Sequence, residues 1–297
     1  MDEKSKTLRI LFHYARIPVL LVAILTYVLG AGLARFLGIT VNPSVFFLGL
    51  AYGLLVLLSS GWVQGFYDGP EELQSSMGEA HSEILIRRTL LESGLVSMGV
   101  AALLVALMLI NGQIQLLSAT LMLLLFVFGY FYSVPPVRLV QRGYGELVNA
   151  FLLGNLMPAF AYSAQSGDLH RLLGMITFPL ATIILAYQLA NSLEPYASDL
   201  KLKRRTMMVA LGWQRGMNLH NLLVLGAYFI LGLAALFGLP WSLTWPVLLT
   251  LPVGLFEIWL MIRISNGGKP AWKLLSFTSS VLVILTAYLI TFALWIG

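Results

Sequence analysis

The sequence predicts an all-α integral membrane protein, with nine transmembrane helices in one bundle and a polar site on the cytoplasmic face. Three observations carry that prediction. Hydrophobic residues make up 59% of the 297 residues and charged residues only 10%. A soluble domain carries about 25% charged residues, so these charges cannot cover a water-facing surface of this size. The apolar residues fall in runs close to the roughly 20 residues that cross a bilayer. The basic residues fall in alternate connections between those runs, the pattern that sets membrane orientation.

In chain order, the first 17 residues carry charges but no small-residue cleavage site after a short apolar core. No signal peptide is expected, and the first span serves as the insertion signal. Nine spans follow, at about 18–36, 43–66, 94–110, 116–132, 146–164, 172–193, 222–237, 241–262 and 274–296. The third, fourth and seventh are short and have room to extend. No polar linker divides the chain, so 1–297 is expected to be a single domain. With the N-terminus inside, the inner connections hold sixteen Lys and Arg residues, whereas the outer ones hold only Arg35 and Arg171. That bias predicts a cytoplasmic N-terminus and a C-terminus on the opposite side. Long inner connections at 68–92, 133–145 and 194–220 place any site on that face. The absence of cysteine excludes disulfides, thiolate metal sites and thiol catalysis.

The acidic residues are few, and five of the thirteen, Asp68, Glu71, Glu72, Glu194 and Asp199, fall at two helix ends. Ser60, Gln64, Asp68 and Glu72 recur every four residues, on one helical face. Gly61, Gly65 and Gly69 form a second stripe, which admits a close neighbouring helix. The sixth span ends with Gln188, Asn191, Glu194 and Asp199, with Pro195 positioned to kink or end it. Intramembrane polar groups are costly and face a cavity or a partner; a solvated, charge-capped helix end is the plainer account of each motif taken singly.

Amide and carboxylate oxygens suit Mg²⁺, which commonly bridges to substrate phosphates. Arg138, Arg142, Lys203, Arg204 and Arg205 lie in the adjoining loops, where guanidinium and ammonium groups hold phosphate oxygens. Acidic and basic groups together fit a metal–diphosphate complex better than either alone. A basic loop by itself also satisfies the inside-charge rule or a lipid headgroup. His13, His81, His170 and His220 show no ligand spacing, and a histidine metal centre is not expected. Membrane lipid is the expected surroundings, and no nucleic-acid partner is expected.

Three stretches carry a resemblance. They are QGFYDGPEE at 64–72, YSVPPVRLVQRGYGELVNAFLLG at 132–154 and NSLEPYASDLKLKRRTMMVALG at 191–212. The chain resembles the UbiA-type superfamily of intramembrane aromatic prenyltransferases, and its middle stretch resembles the members that act on dihydroxynaphthoate. The N-terminal ARIPVLLVAILTYVLGAGLA is similar to the family's first helix. The resemblance implies nine helices, two acidic motifs holding Mg²⁺, a polyprenyl diphosphate donor and an aromatic acceptor. It assigns metal binding to Asp68, Glu72, Asn191, Glu194 and Asp199, with Asp68 and Asp199 essential for catalysis. Substrate binding falls to Gln64, Tyr132, Arg138, Tyr144, Glu146, Lys203, Arg204 and Arg205.

The chain departs from the family pattern at both motifs. Gly65 and Pro195 stand where the pattern has aspartates, and Glu194 stands where it has an arginine. Two readings stay open. One is prenyl transfer with a remodelled metal shell. The other is a protein that binds an isoprenoid or quinone without transferring it, or performs another superfamily reaction such as terpene cyclisation. A transporter would need ionisable residues at mid-membrane depth, and most spans show none. Glu146 is either a charge at a helix start or a pocket residue. Tyr132 and Tyr144 either shape the acceptor site or lie at the membrane interface. The helices from Trp241 onward are read as lipid-facing scaffold.

Overall fold

In the computed structural model, residues 3–70 and 83–297 are described, and among them the chain is helical throughout, with no strand. The order begins with α1 (Glu3–Ala15), α2 (Ile17–Phe36), α3 (Pro43–Tyr67) and α4 (Glu83–Ile110). It continues with α5 (Leu116–Ser133), α6 (Gly145–Ser166) and α7 (Arg171–Asn191). Two short helices follow, α8 (Tyr196–Lys201) and α9 (Met207–Leu211). The chain ends with α10 (Trp213–Leu236), α11 (Trp241–Leu248), α12 (Leu251–Ser265) and α13 (Trp272–Ile296). Among the described residues eight helices are long and apolar enough to cross a membrane, and the bent pair α11 and α12 passes the same test when its two helices are taken together, which brings the number to nine if the pair is one span.

The expected spans are recovered with three differences. The third and seventh start earlier, at Glu83 and Trp213, because their first turns are polar and a hydropathy reading trims them. The eighth is broken, bending by 40° between α11 and α12. Pro246 and Pro252 flank the break, and each removes a backbone donor from the helical ladder. Thr250 is fully buried there, and its hydroxyl bonds Val247 O at 2.7 Å and Tyr228 Oη at 2.7 Å. That supplies the polar groups a broken helix needs inside a bilayer. The third difference is α1, which the sequence reading did not separate from the loop preceding the first span.

Small residues bring the helices close. A Cβ at Gly30 would lie 2.2 Å from Pro158 O, so α2 and α6 meet backbone to backbone. Pro158 has no N–H to give the carbonyl of Gly154, and the turn at Leu152–Leu156 widens to a π-helix. The last helix closes on the first span, where Trp295 Nε1 donates to Val28 O at 3.1 Å. Two of the tyrosine hydroxyls in the core are satisfied by distant carbonyls: Tyr27 donates to Phe46 O and Tyr52 to Met122 O, as burial in an apolar medium demands.

The glycine stripe on α3 does what its spacing predicts at two of its positions. The partner is α1: a Cβ on Gly61 would lie 2.2 Å from Tyr14 O, and one on Gly65 2.7 Å from the Tyr14 ring. Gly65 is therefore the residue that seats Tyr14, and an aspartate there would displace that ring. Gly61→Ala is expected to unseat α1 from α3, because the clash is with backbone. Faster proteolysis between residues 3 and 16, with the spans still protected, is the expected readout; unchanged protection would refute the packing.

Candidate functional site

Three cavities lie in series and share walls. The first, about 520 Å³, is bounded by Asp68, Asp199, Gln64, Arg16 and Arg204. The second, about 400 Å³, is bounded by Tyr132, Glu146, Asn149, Tyr187 and Asn191. Arg16, Val140 and Thr206 border both. The third, about 280 Å³, is apolar, with Ile17, Leu21, Val283 and Ile284 in its walls. Pro18, Val22 and Tyr187 border the second and third. The series grades from charged through mixed to apolar.

Each carboxylate of the first cavity is buried and held by an arginine. Asp68 follows the end of α3 in extended conformation, and Arg138 Nη2 donates to its Oδ1 at 2.7 Å. Arg138 reaches it from a left-handed backbone, φ 39°, and its Nη1 also donates to Gln141 Oε1 at 2.8 Å. Asp199 sits in α8, a short helix that starts at Tyr196, just after Pro195. Arg204 Nη1 lies 3.5 Å from its Oδ1, and the Arg204 N–H donates to Asp199 O at 2.9 Å. Lys203, at φ 55°, makes the reversal that brings Arg204 back. Among the described residues Gln64 Oε1 and Arg138 Nε are buried without a hydrogen-bond partner. One is an acceptor suited to a cation, the other a donor suited to a phosphate oxygen. His13 stands at the cavity rim. Partial burial, then the Arg204 guanidinium, lowers its pKa below the ordinary histidine value, so the ring is neutral at neutral pH.

Arg16 links the first two cavities. It occupies the one-residue break between α1 and α2, at φ 51°. Its Nη1 donates to Tyr132 Oη at 3.0 Å, and its guanidinium lies 5.4 Å from the Tyr132 ring centroid, a cation–π distance. In the second cavity Glu146 is a pocket residue. Its two carboxylate oxygens accept the Met207 N–H, each at 3.1 Å, and Oε1 also accepts from Ser192 Oγ at 3.4 Å. It thereby fixes the start of α9, whose Thr206 Oγ1 accepts the Val209 N–H. Asn149 Nδ2 donates to Gln188 Oε1, and Gln188 Nε2 donates to Glu146 O, so the polar side chains of this wall hold one another.

Several expected residues do not converge on the acidic cavity. Asn191 lines the second cavity, where its Oδ1 accepts from Ser276 Oγ at 2.6 Å and its Nδ2 donates to Tyr187 O and Ser279 Oγ. Its amide ties α7 to α13 and stands apart from Asp199. Glu194 is exposed, because α7 ends at Asn191 and the chain turns outward before α8. Lys203, Arg205 and Tyr144 are exposed as well, and Arg142 is exposed with its Nη2 on Pro136 O. Glu72 lies outside the described residues. The last helix is more than scaffold, since Ser280 lines the third cavity and Ser276 and Ser279 hold Asn191.

Sequence reading missed Arg16, His13, Tyr14 and Thr206 as cavity residues and Glu257 altogether. In the sequence Arg16 is one of the sixteen inner basic residues. The signal that distinguishes it is its place, immediately before Ile17-Pro18 at the mouth of the first span. Glu257, in the span formed by α12, is buried against the equally buried His220, with Oε1 3.0 Å from Nε2.

Among the described residues no three His, Asp or Glu side chains converge as a self-sufficient metal centre. Asp68, Asp199 and the unpartnered Gln64 Oε1 offer an all-oxygen set around the first cavity. That chemistry fits Mg²⁺, which takes few protein ligands and completes its shell with water and phosphate oxygens. Arg16 and Arg204 line that cavity with the two carboxylates, and Arg138 backs Asp68, so guanidinium groups outnumber carboxylates at a site for an anion.

Residues 83–295 match the pattern of the UbiA prenyltransferase family. The 1,4-dihydroxy-2-naphthoate octaprenyltransferase of Bacillus subtilis is 23% identical over 215 residues, covering 71% of this chain and 68% of that protein. The 2-carboxy-1,4-naphthoquinone phytyltransferase of Synechocystis is 30% identical over 139 residues, 43% of this chain and 45% of that protein. In fold, the chain is similar to a UbiA homolog from Archaeoglobus fulgidus bound to GPP and Mg²⁺, with TM-score 0.67, 17% identity, and coverage of 96% of this chain and 99% of that one. It is also similar in fold to a digeranylgeranylglyceryl phosphate synthase, with TM-score 0.68, 12% identity and 99% coverage of both.

Proposed function

The chain belongs to the UbiA prenyltransferase family, and on that premise we propose that it moves a polyprenyl group from its diphosphate to an aromatic or quinone-precursor acceptor, dihydroxynaphthoate-like, with Mg²⁺. The observation that carries this reading is the series of three cavities graded from charged to apolar. A prenyl diphosphate has the same gradient along its length. The relatives named for dihydroxynaphthoate and naphthoquinone prenyl transfer support the acceptor class. The whole chain, 1–297, acts as one prenyltransferase domain. The sixteen inner basic residues support a site on the cytoplasmic side, a cytoplasmic N-terminus and the opposite placing of the C-terminus.

In this reading Asp68, Asp199 and Gln64 hold Mg²⁺, which when bound supplies electrostatic stabilisation to the leaving diphosphate. Arg16, Arg138 and Arg204 bind the diphosphate oxygens through charge-assisted hydrogen bonds. The allylic C–O bond breaks with its electron pair passing to the diphosphate. Tyr132 and Tyr187 offer π faces to the carbocation in the second cavity. Glu146, Asn149 and Gln188 orient the acceptor's polar substituents there. An electron-rich ring carbon forms the new C–C bond, and the proton on that carbon passes to water, which restores aromaticity. The apolar third cavity, walled by α2 and α13, takes the tail toward the lipid.

A second reading, isoprenoid binding without transfer, draws support from the arginine already paired with each carboxylate. One experiment separates them: prenyl-diphosphate binding by the detergent-purified protein with and without Mg²⁺, followed by diphosphate release on adding dihydroxynaphthoate. Mg²⁺-dependent binding with release is the expected result. Metal-independent binding with no release for any aromatic acceptor would overturn the transferase reading in favour of the binding protein.

A further inference from the structure

We propose that α1 lies in the interfacial layer of the bilayer and forms a membrane-seated wall of the first cavity. Its buried side, Ile10 and Tyr14, packs with Trp62, Phe66, Ile86 and Leu90, and Trp62 Nε1 donates to Leu11 O at 3.0 Å. One turn apart on another side, Leu8 is 54% and Phe12 62% exposed. These are large apolar groups that water would not favour. Arg9, also exposed, follows next around the same arc.

What covers Leu8 and Phe12 follows from where α1 ends. A single residue, Arg16, separates it from α2, which spans the membrane. On the first turns of that span Ile17 and Leu21 are exposed at 41% and 50%. A helix joined so tightly to the mouth of a span cannot lie far from the headgroup layer. Its sequence carries Lys4, Lys6 and Arg9 against Glu3, the sign that acidic headgroups attract. An apolar flank beside basic residues is the pattern of a helix lying in the interface. The cavity residues His13, Tyr14 and Arg16 belong to this helix or adjoin it, so its seating sets where they stand. The consequence for turnover rests on the prenyl-transfer reading; the seating itself does not.

The chain has no cysteine, so Phe12→Cys in the full-length protein accepts one environment-sensitive fluorophore. In phosphatidylglycerol-containing vesicles, lipids brominated high on the acyl chain are expected to quench it several-fold more than lipids brominated near the terminal methyl. Aqueous iodide should quench it far less than the same label on Asn266→Cys, an exposed loop position. Iodide quenching equal to that control would overturn the proposal. So would shielding from iodide and from both lipids, which would place a second copy of the chain on this face. Leu8→Ser/Phe12→Ser is expected to lower vesicle turnover about tenfold, by misplacing Arg16 and Tyr14, with a raised KM for prenyl diphosphate. Unchanged turnover and KM would overturn the cavity-wall role. If the wild type releases no diphosphate with any acceptor, the transferase reading fails, while the label still reports where α1 lies.

Discussion

Asp68→Asn and Asp199→Asn are each expected to lower turnover by at least about 100-fold, some 2.7 kcal/mol of transition-state stabilisation, with the protein still folded. The two carboxylates approach one cavity from different parts of the chain, the end of α3 and the short α8. Each is almost completely buried and balanced by a guanidinium. An asparagine keeps the shape and one oxygen acceptor but removes the charge that we propose holds a cation and that pairs with Arg138 or Arg204. Electrostatic groups aimed at developing charge are commonly worth about 100- to 1000-fold in rate. Glu194→Gln and Tyr144→Phe are the matched controls. Both side chains are exposed and border none of the three cavities, and surface changes cost about 0.5 kcal/mol or less, so turnover should stay within about twofold. Steady-state rates with saturating prenyl diphosphate and Mg²⁺ read both pairs. Full activity in either aspartate variant would remove that residue from the machinery, and a large loss at Glu194 would restore the contiguous-motif assignment.

The spans were legible because a bilayer demands about 20 apolar residues and sorts basic loops by side, and both signals survive in a single sequence. Asp68 and Asp199 were legible for a related reason: a carboxylate at the membrane end of an apolar run is rare enough to point to a site. Which neighbours accompany them was not. Spacing placed Asn191 and Glu194 near Asp199, but α7 ends at Asn191, and the turn that follows sends Glu194 outward. Asn191 is drawn instead to serines of α13, 85 and 88 residues away in sequence, a pairing no local pattern encodes. Arg16 was hidden because its role depends on a backbone reversal and on Tyr132, 116 residues distant. The glycine stripe was read correctly as a close-packing face, though its partner, a helix preceding the first span, was not visible in hydropathy.

The other large effect lies away from the cavities. His220→Leu is expected to destabilise the protein by about 1–3 kcal/mol, the usual cost of leaving a buried polar group without its hydrogen-bond partner. The apparent unfolding midpoint should fall by about 3–10 °C. His220 Nε2 lies 3.0 Å from Glu257 Oε1, and its Nδ1 lies 3.1 Å from Asn221 Oδ1. Both side chains are essentially inaccessible. The pair is asymmetric, since among the described residues Glu257 Oε2 is buried without a partner. Removing the histidine leaves a carboxylate with neither oxygen bonded. Glu257→Leu removes that unsatisfied atom together with the pairing and leaves an imidazole still bonded to Asn221, so it should cost distinctly less. The double variant His220→Leu/Glu257→Leu should lie close to the wild type, because matched apolar groups often replace a buried pair without loss. Thermal unfolding of the four proteins in one detergent completes the cycle. Equal losses in the two single variants would mean that Oε2 has found a partner, and additive losses in the double variant would mean that the side chains act through packing alone. Neither residue borders any of the three cavities described above, so the folded fraction of every variant should retain its KM for prenyl diphosphate.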